Sequence, residues 1–183
     1  MKLRREESLL VVIDVQEKLM PVIHAAAEVE KNIDRLARGT QILGIPAILT
    51  EQYAKGLGHT TDIVRKAFAE THGYTPIEKA CFSAFSNDDF REKLKAIERK
   101  QILIAGIEAH VCVYQSVLDL LAGGYDVMLI SDAVSSRSQS NKNIGLSRMQ
   151  QEGAKLSSTE MALFELMGLS GTDEFRAISK LVK

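Results

Sequence analysis

At 183 residues the chain is long enough to bury one sizeable core and short enough to be read as one domain spanning 1–183. Its formal net charge of -1, without a basic stripe or an acidic tail, points away from nucleic acid and anionic membranes as partners. Leu9 to Ile13 is too short an apolar stretch for a signal peptide or a membrane span, and two cysteines make neither a zinc motif nor a disulfide framework, so a cytoplasmic protein with reduced thiols is expected.

Leu9-Leu-Val-Val-Ile13 reads as a central parallel strand that ends on a carboxylate, Asp14, followed by Val15 and Gln16. The spacing of Val29, Ile33, Leu36, Ala37 and Leu43 predicts an amphipathic helix closed by Gly44, before a second strand over Ile45 to Thr50. Glu51 to Thr61, with Tyr53, Gly56, Gly58 and His59, reads as a loop on the carboxyl side of that strand. Pro76 to Lys79 forms a short third strand leading into Phe82-Ser-Ala-Phe85, and Ser86-Asn87 caps a helix whose buried face carries Phe90, Leu94 and Ile97.

Gln101 to Ile107 is short, apolar and rich in β-branched residues, as suits a strand covered on both faces. Val113, Val117, Leu120 and Leu121 then recur at helical spacing until Gly123-Gly124. Cys112 therefore opens a helix, where free backbone N–H groups and the helix dipole favour a thiolate. A fifth strand, Tyr125 to Ile130, is expected to end at Ser131-Asp132. A polar loop from Ser135 to Asn141, a helix and a weak sixth strand at Gly153 to Leu156 follow it. Ser157 and Glu160 fit a capping box for a helix carrying Met161, Leu163, Phe164, Leu166 and Met167, and a last helix is expected from Thr172 to about Leu181.

Alternating strands and helices predict a three-layer α/β/α sandwich around a mostly parallel sheet, for which 3-2-1-4-5-6 is the usual strand order. Ligands bind such sheets outside the carboxyl ends of the strands, where Asp14, Lys79 and Cys112 all fall. A thiol, a carboxylate and an ammonium together suit acyl transfer: Cys112 attacks a carbonyl carbon, Asp14 takes the thiol proton and returns it to the leaving amine, and Lys79 holds Asp14 and favours the thiolate. Backbone N–H groups around Glu108 and Cys112 are natural donors to the oxyanion. One geometric demand follows from the sheet order. Strand three lies two strands, about 10 Å, from strand one, so Lys79 must lean inward.

Three segments carry a family resemblance: Ile13-Asp14-Val-Gln16, Glu78-Lys79-Ala-Cys-Phe82-Ser-Ala-Phe85, and Gly106-Ile-Glu-Ala-His-Val-Cys112-Val. Together they resemble the signature segments of the isochorismatase-like cysteine hydrolases, and Thr50 to Tyr53 with Lys55 to Gly58 resemble the isochorismatase-domain-containing subgroup. The resemblance runs from about Leu9 to Phe164. It implies a Rossmann-like six-stranded sheet, a catalytic triad of Asp14, Lys79 and Cys112 and an oxyanion hole from the N–H groups of Glu108 and Cys112, aided by a cis peptide before Glu108. It also implies a homo-oligomer and hydrolysis of a small amide or carbamoyl compound.

Departures from the resemblance narrow the substrate. Nicotinamidases carry an aspartate and histidines for a metal after the second strand, whereas this loop offers Glu51, Gln52, Tyr53 and the single His59, so no metal is expected. No cofactor is expected either, because the first strand-to-helix turn lacks a glycine-rich phosphate cradle. His110 stands where nicotinamidases tend to have aspartate, and the chain has no tryptophan to sandwich an aromatic ring. The possible substrate pocket comprises Gln16, Tyr53, His59, Phe82, Phe85 and His110. His24 and His72 read as surface residues, and Arg137 as a solvated loop arginine, with bidentate binding of a substrate carboxylate as the alternative. Two other readings stay open: an idle oligomeric scaffold of the same fold, and a thiol sensor pairing Cys81 with Cys112.

Overall fold

The computed structural model describes residues 1–183. In chain order the elements are β1 (Ser8–Ile13), α1 (Ala26–Ile42), β2 (Ala47–Gln52), the single turn α2 (Ala54–Leu57), α3 (Asp62–Glu70), β3 (Ile77–Lys79) and α4 (Asp88–Ile97). There follow β4 (Gln101–Ile107), α5 (Cys112–Ala122), β5 (Asp126–Ser135), α6 (Gln139–Gln151), β6 (Lys155–Ser157), α7 (Thr159–Met167) and α8 (Asp173–Val182). The six strands form one sheet of order β3-β2-β1-β4-β5-β6, and every pairing is parallel.

Strand periodicity sorts the core into two layers. Leu10 and Val12 of β1, Leu103 and Ala105 of β4, and Met128 and Ile130 of β5 meet α1, α3, α7 and α8 on one face. Leu9, Val11, Ile13, Ile102, Ile104, Val127 and Leu129 meet α4, α5 and α6 on the other. All six β1 residues are buried, and this explains why the run is apolar without alternation. α8 docks through Ile178, and Arg35 of α1 donates to the carbonyls of Leu181 and Val182 at its end.

Several boundaries differ from expectation for local reasons. β2 begins at Ala47 because Ile45 N–H still donates to Thr40 O of α1, closing that helix. It continues to Gln52 because Thr50, Glu51 and Gln52 pair with Ile77, Glu78 and Lys79 of β3, so Glu51 and Gln52 belong to the sheet rather than to a loop. β5 runs on to Ser135 past the expected end at Ile130, after a register shift between Ile104 and Gly106 of β4. Its polar residues are partnered there: Ser131 Oγ donates to Ser157 O, and Asp132 Oδ1 accepts from the N–H and hydroxyl of Thr159. Ser158, not Ser157, caps α7 by accepting from Met161 N–H, so Glu160 is not placed for a capping box. α3 was not anticipated, although Val64, Ala67 and Phe68 bury one of its faces.

Candidate active site

Asp14 follows the last residue of β1 with a left-handed backbone, φ 54°, and its side chain is buried. Its Oδ1 accepts from the Thr50 hydroxyl at 2.7 Å, and its Oδ2 accepts from Lys79 Nζ at 2.7 Å. Lys79, the last residue of β3, spans β2 with its stem and so meets the inward lean that the strand order demands. Its ammonium also donates to Gln52 Oε1 at 2.7 Å and to the carbonyls of Cys81 and Phe82 at 3.1 and 3.0 Å. Both side chains of the pair are out of water, at 0% and 1% exposure. Such a pair survives burial only when further hydrogen bonds complete it, as Thr50 and Gln52 do here.

β4 reaches the site by a close backbone approach. A Cβ on Gly106, at φ 115°, would sit 2.1 Å from Ile13 O, so only glycine fits beside β1. The next peptide, Ile107–Glu108, is cis, as the resemblance implies. Glu108 O accepts from the N–H groups of Val111 and Val113 in the turn before α5, whereas the N–H groups of Glu108 and Cys112 have no backbone acceptor. Cys112 is the first residue of α5 and is 8% exposed. Ser116 ties this turn to the segment after β3, donating its hydroxyl to Cys112 O at 2.6 Å and accepting the Ala84 N–H at 2.8 Å.

The resting state of the sulfur differs from expectation. Burial, first, and the nearby Asp14 charge push the Cys112 thiol up to about 12. Lys79 pulls the other way but is outweighed by burial and by the Asp14 charge, to which Glu108 adds a further negative charge. Cys112 therefore rests as a thiol, not as the thiolate predicted from its helix N-terminus.

The pocket residues divide. Gln16 is buried and braces the frame: its amide nitrogen donates to Gln52 O and Gly58 O, and its Oε1 accepts the Gln52 N–H at 2.6 Å. Tyr53 donates its N–H to Lys79 O, and its ring is 55% exposed, as is Phe82's at 53%. His59 lies 3.1 Å from Glu51 Oε2. Burial would raise the Glu51 carboxyl, but hydrogen bonds from Tyr74, Thr60 and His59 outweigh it and hold the group below the ordinary range. Phe85 does not join the pocket. Its ring meets Tyr125 edge-on at 6.0 Å, at the start of β5 and thus at the opposite end of the sheet. His110 Nδ1 lies 3.0 Å from Ser136 Oγ. Arg137 is solvated, as expected of a loop arginine, and also pairs with Glu108, whereas His72 is half-buried against Thr40 and Ala37 O rather than on the surface. Thr50 and Gln52, which the sequence marks only as part of the subgroup resemblance, and Ser116, which it does not mark, are structural partners of the site.

The sheet order and its flanking helices define a Rossmann-like α/β fold. The isochorismatase domain model matches residues 8–161, and the chain belongs to the isochorismatase family. It is 39% identical over 182 residues to isochorismatase domain-containing protein 2 of Danio rerio, covering 99% of this chain and 89% of that protein. The structure of MAR1 ribonuclease from Caenorhabditis elegans superposes with a TM-score of 0.91 at 37% identity, covering 100% of this chain and 92% of that one. YcaC from Pseudomonas aeruginosa, solved with hexane-2,5-diol and covalent acrylamide, superposes with a TM-score of 0.89 at 25% identity, covering 98% and 91%. No helix is long and apolar enough to cross a membrane.

Proposed function

We propose that this family member hydrolyses a small amide or carbamoyl-type C–N bond through an acyl-cysteine intermediate. The observation that carries the reading is the buried Lys79–Asp14 pair, whose two charges both act on the Cys112 thiol at the start of α5. As Cys112 Sγ attacks the carbonyl carbon, its proton passes to Asp14, and Lys79 offsets the Asp14 charge before and after the transfer. The tetrahedral oxyanion forms beside the N–H groups of Glu108 and Cys112, which have no backbone acceptor of their own. Asp14 then protonates the leaving amine as the C–N bond breaks; water attacks the thioester with Asp14 as base, the C–S bond breaks, and Asp14 returns the proton to the Cys112 sulfur as the acid product leaves. A thiol at about 12 suits this order, because the proton leaves as the new bond forms rather than beforehand.

The covalent acrylamide of the P. aeruginosa relative is consistent with a site of this kind that admits a small amide. RNA cleavage, the activity named for the C. elegans protein, is less well supported here, because a formal net charge of -1 without a basic stripe offers little to neutralise a phosphate backbone. A homo-oligomer is also proposed, supported by exposed Ile144 on α6 and Met161 on α7. The test is a panel of small primary amides, carbamoyl compounds and single-stranded RNA, with ammonia release and strand scission as readouts, in wild type and Cys112→Ala. Ammonia release that depends on Cys112 supports the proposal; amide turnover surviving in Cys112→Ala, or Cys112-dependent scission without amide turnover, overturns it.

A further inference from the structure

Three consecutive residues, the last of β5 and the two that follow it, grip the turn that carries the candidate oxyanion donors. Ser135 O accepts the Ala109 N–H at 2.8 Å, Ser136 Oγ lies 3.0 Å from His110 Nδ1, and Arg137 donates its backbone N–H and its Nε to one oxygen of Glu108 at 3.0 and 3.1 Å. From the other side α6 presses close, since a Cβ on Gly145 would lie 2.6 Å from Ala109 O. The gripping loop is itself fixed: Ser135 Oγ donates to His24 O at 2.6 Å, and Ser136 O accepts the His24 N–H at 2.9 Å.

Glu108 is an awkward neighbour for a developing anion. Its N–H is a candidate oxyanion donor, yet its side chain, 13% exposed, brings a carboxylate to the same turn. Asp14, Lys79 and Glu108 are the charged groups that act on Cys112, and two of the three are negative. The guanidinium that holds Glu108 is 61% exposed, and an ion pair so open to water contributes little to folding. Its place beside the reaction centre, rather than its strength, is informative.

We propose that Arg137 is a positioning residue for the cysteine chemistry: through Glu108 it steadies the oxyanion turn and offsets the carboxylate that would otherwise oppose negative charge on the sulfur and on the tetrahedral intermediate. The role rests on Cys112 being the nucleophile. Removing Arg137 leaves the Glu108 charge uncompensated, so the thiolate becomes harder to form and the oxyanion harder to hold. If Glu108 is made neutral, Arg137 has nothing to offset.

The test needs no substrate. Second-order alkylation of Cys112 by iodoacetamide, a neutral reagent, is followed by peptide mass mapping at one alkaline pH in wild type, Arg137→Ala, Arg137→Lys, Glu108→Gln, the Glu108→Gln/Arg137→Ala pair, and Asp14→Asn. Arg137→Ala should react about threefold to tenfold more slowly, equivalent to roughly half to one unit in the thiol's titration. Arg137→Lys should recover part of the rate, and in the Glu108→Gln background Arg137→Ala should change nothing. Equal slowing in both backgrounds, or no slowing in either, overturns the proposal while leaving the nucleophile reading intact if Asp14→Asn still accelerates alkylation. If neither Asp14→Asn nor Arg137→Ala has an effect, the nucleophile reading falls and this proposal with it.

Discussion

Lys79→Met probes the frame of the site, because it removes one member of a pair whose side chains are 0% and 1% exposed. Methionine keeps most of the lysine stem, so what is lost is charge and hydrogen bonding rather than packing. The ammonium's bonds to Asp14 Oδ2, Gln52 Oε1 and the carbonyls of Cys81 and Phe82 all disappear. Breaking a buried ion pair from one side costs about 3–5 kcal/mol, since the remaining charge stays out of water. The Thr50 hydroxyl still serves Asp14 Oδ1, which places the expected loss near the lower bound, about 3 kcal/mol. With a urea dependence of about 2 kcal/mol per molar, the unfolding midpoint should fall by about 1.5 M. In Asp14→Asn/Lys79→Met both charges are gone, and most of the loss should return. Urea unfolding followed by circular dichroism measures all three proteins. A midpoint shift below about 0.3 M for Lys79→Met, or a double variant no more stable than the single one, would refute the buried pair as the element joining β1 to β3.

With its thiol at about 12, Cys112 should have roughly one group in ten thousand ionised near pH 8, far fewer than an ordinary cysteine, so alkylation should be slow and still rising above about pH 10. Asp14→Asn should speed it, and a midpoint below about 8.5 in the wild type would contradict the burial and charge argument. Gly145→Ala should destabilise by about 1–3 kcal/mol, because its methyl group meets the Ala109 carbonyl rather than a flexible side chain, and turnover should fall with it. Unchanged thermal midpoint and turnover would show that α6 does not press on the turn. Burial lowers the His72 titration, partly opposed by its bond to Ala37 O, so the unfolded chain binds the proton more readily. Stability should therefore be full above the unfolded value of about 6.5 and decline as pH falls below it; His72→Gln, read by urea midpoints across that range, should flatten the decline.

The long apolar runs made most of the fold legible. Leu9 to Ile13 and Gln101 to Ile107 are buried on both faces, and each ends beside a polar residue of the candidate site. Asp14 and Cys112 could be placed because strand ends are local features. Lys79 could be placed only with the strand order, since its partner lies two strands away. Thr50, Gln52 and Ser116 were not legible as site partners: a polar residue near a strand end or in a helix looks solvated until the elements it bridges are known. The same reason explains the wrong direction for the Cys112 thiol. A helix N-terminus can be read from eleven residues of α5, whereas burial and the Asp14 charge come from β1 and from packing. Phe85 was misplaced because a motif neighbour in sequence turned toward Tyr125 at the other end of the sheet.

The most direct test of the account is a trapped acyl-enzyme. Wild type and Cys112→Ala are mixed with a small activated amide or ester, quenched in acid within the first turnovers, and analysed by intact and peptide mass spectrometry. The account predicts a mass increase equal to the acyl group, located on Cys112, decaying as product appears and enlarged in Asp14→Asn if that variant still acylates. Product formed with no adduct on Cys112, or formed equally by Cys112→Ala, would contradict it.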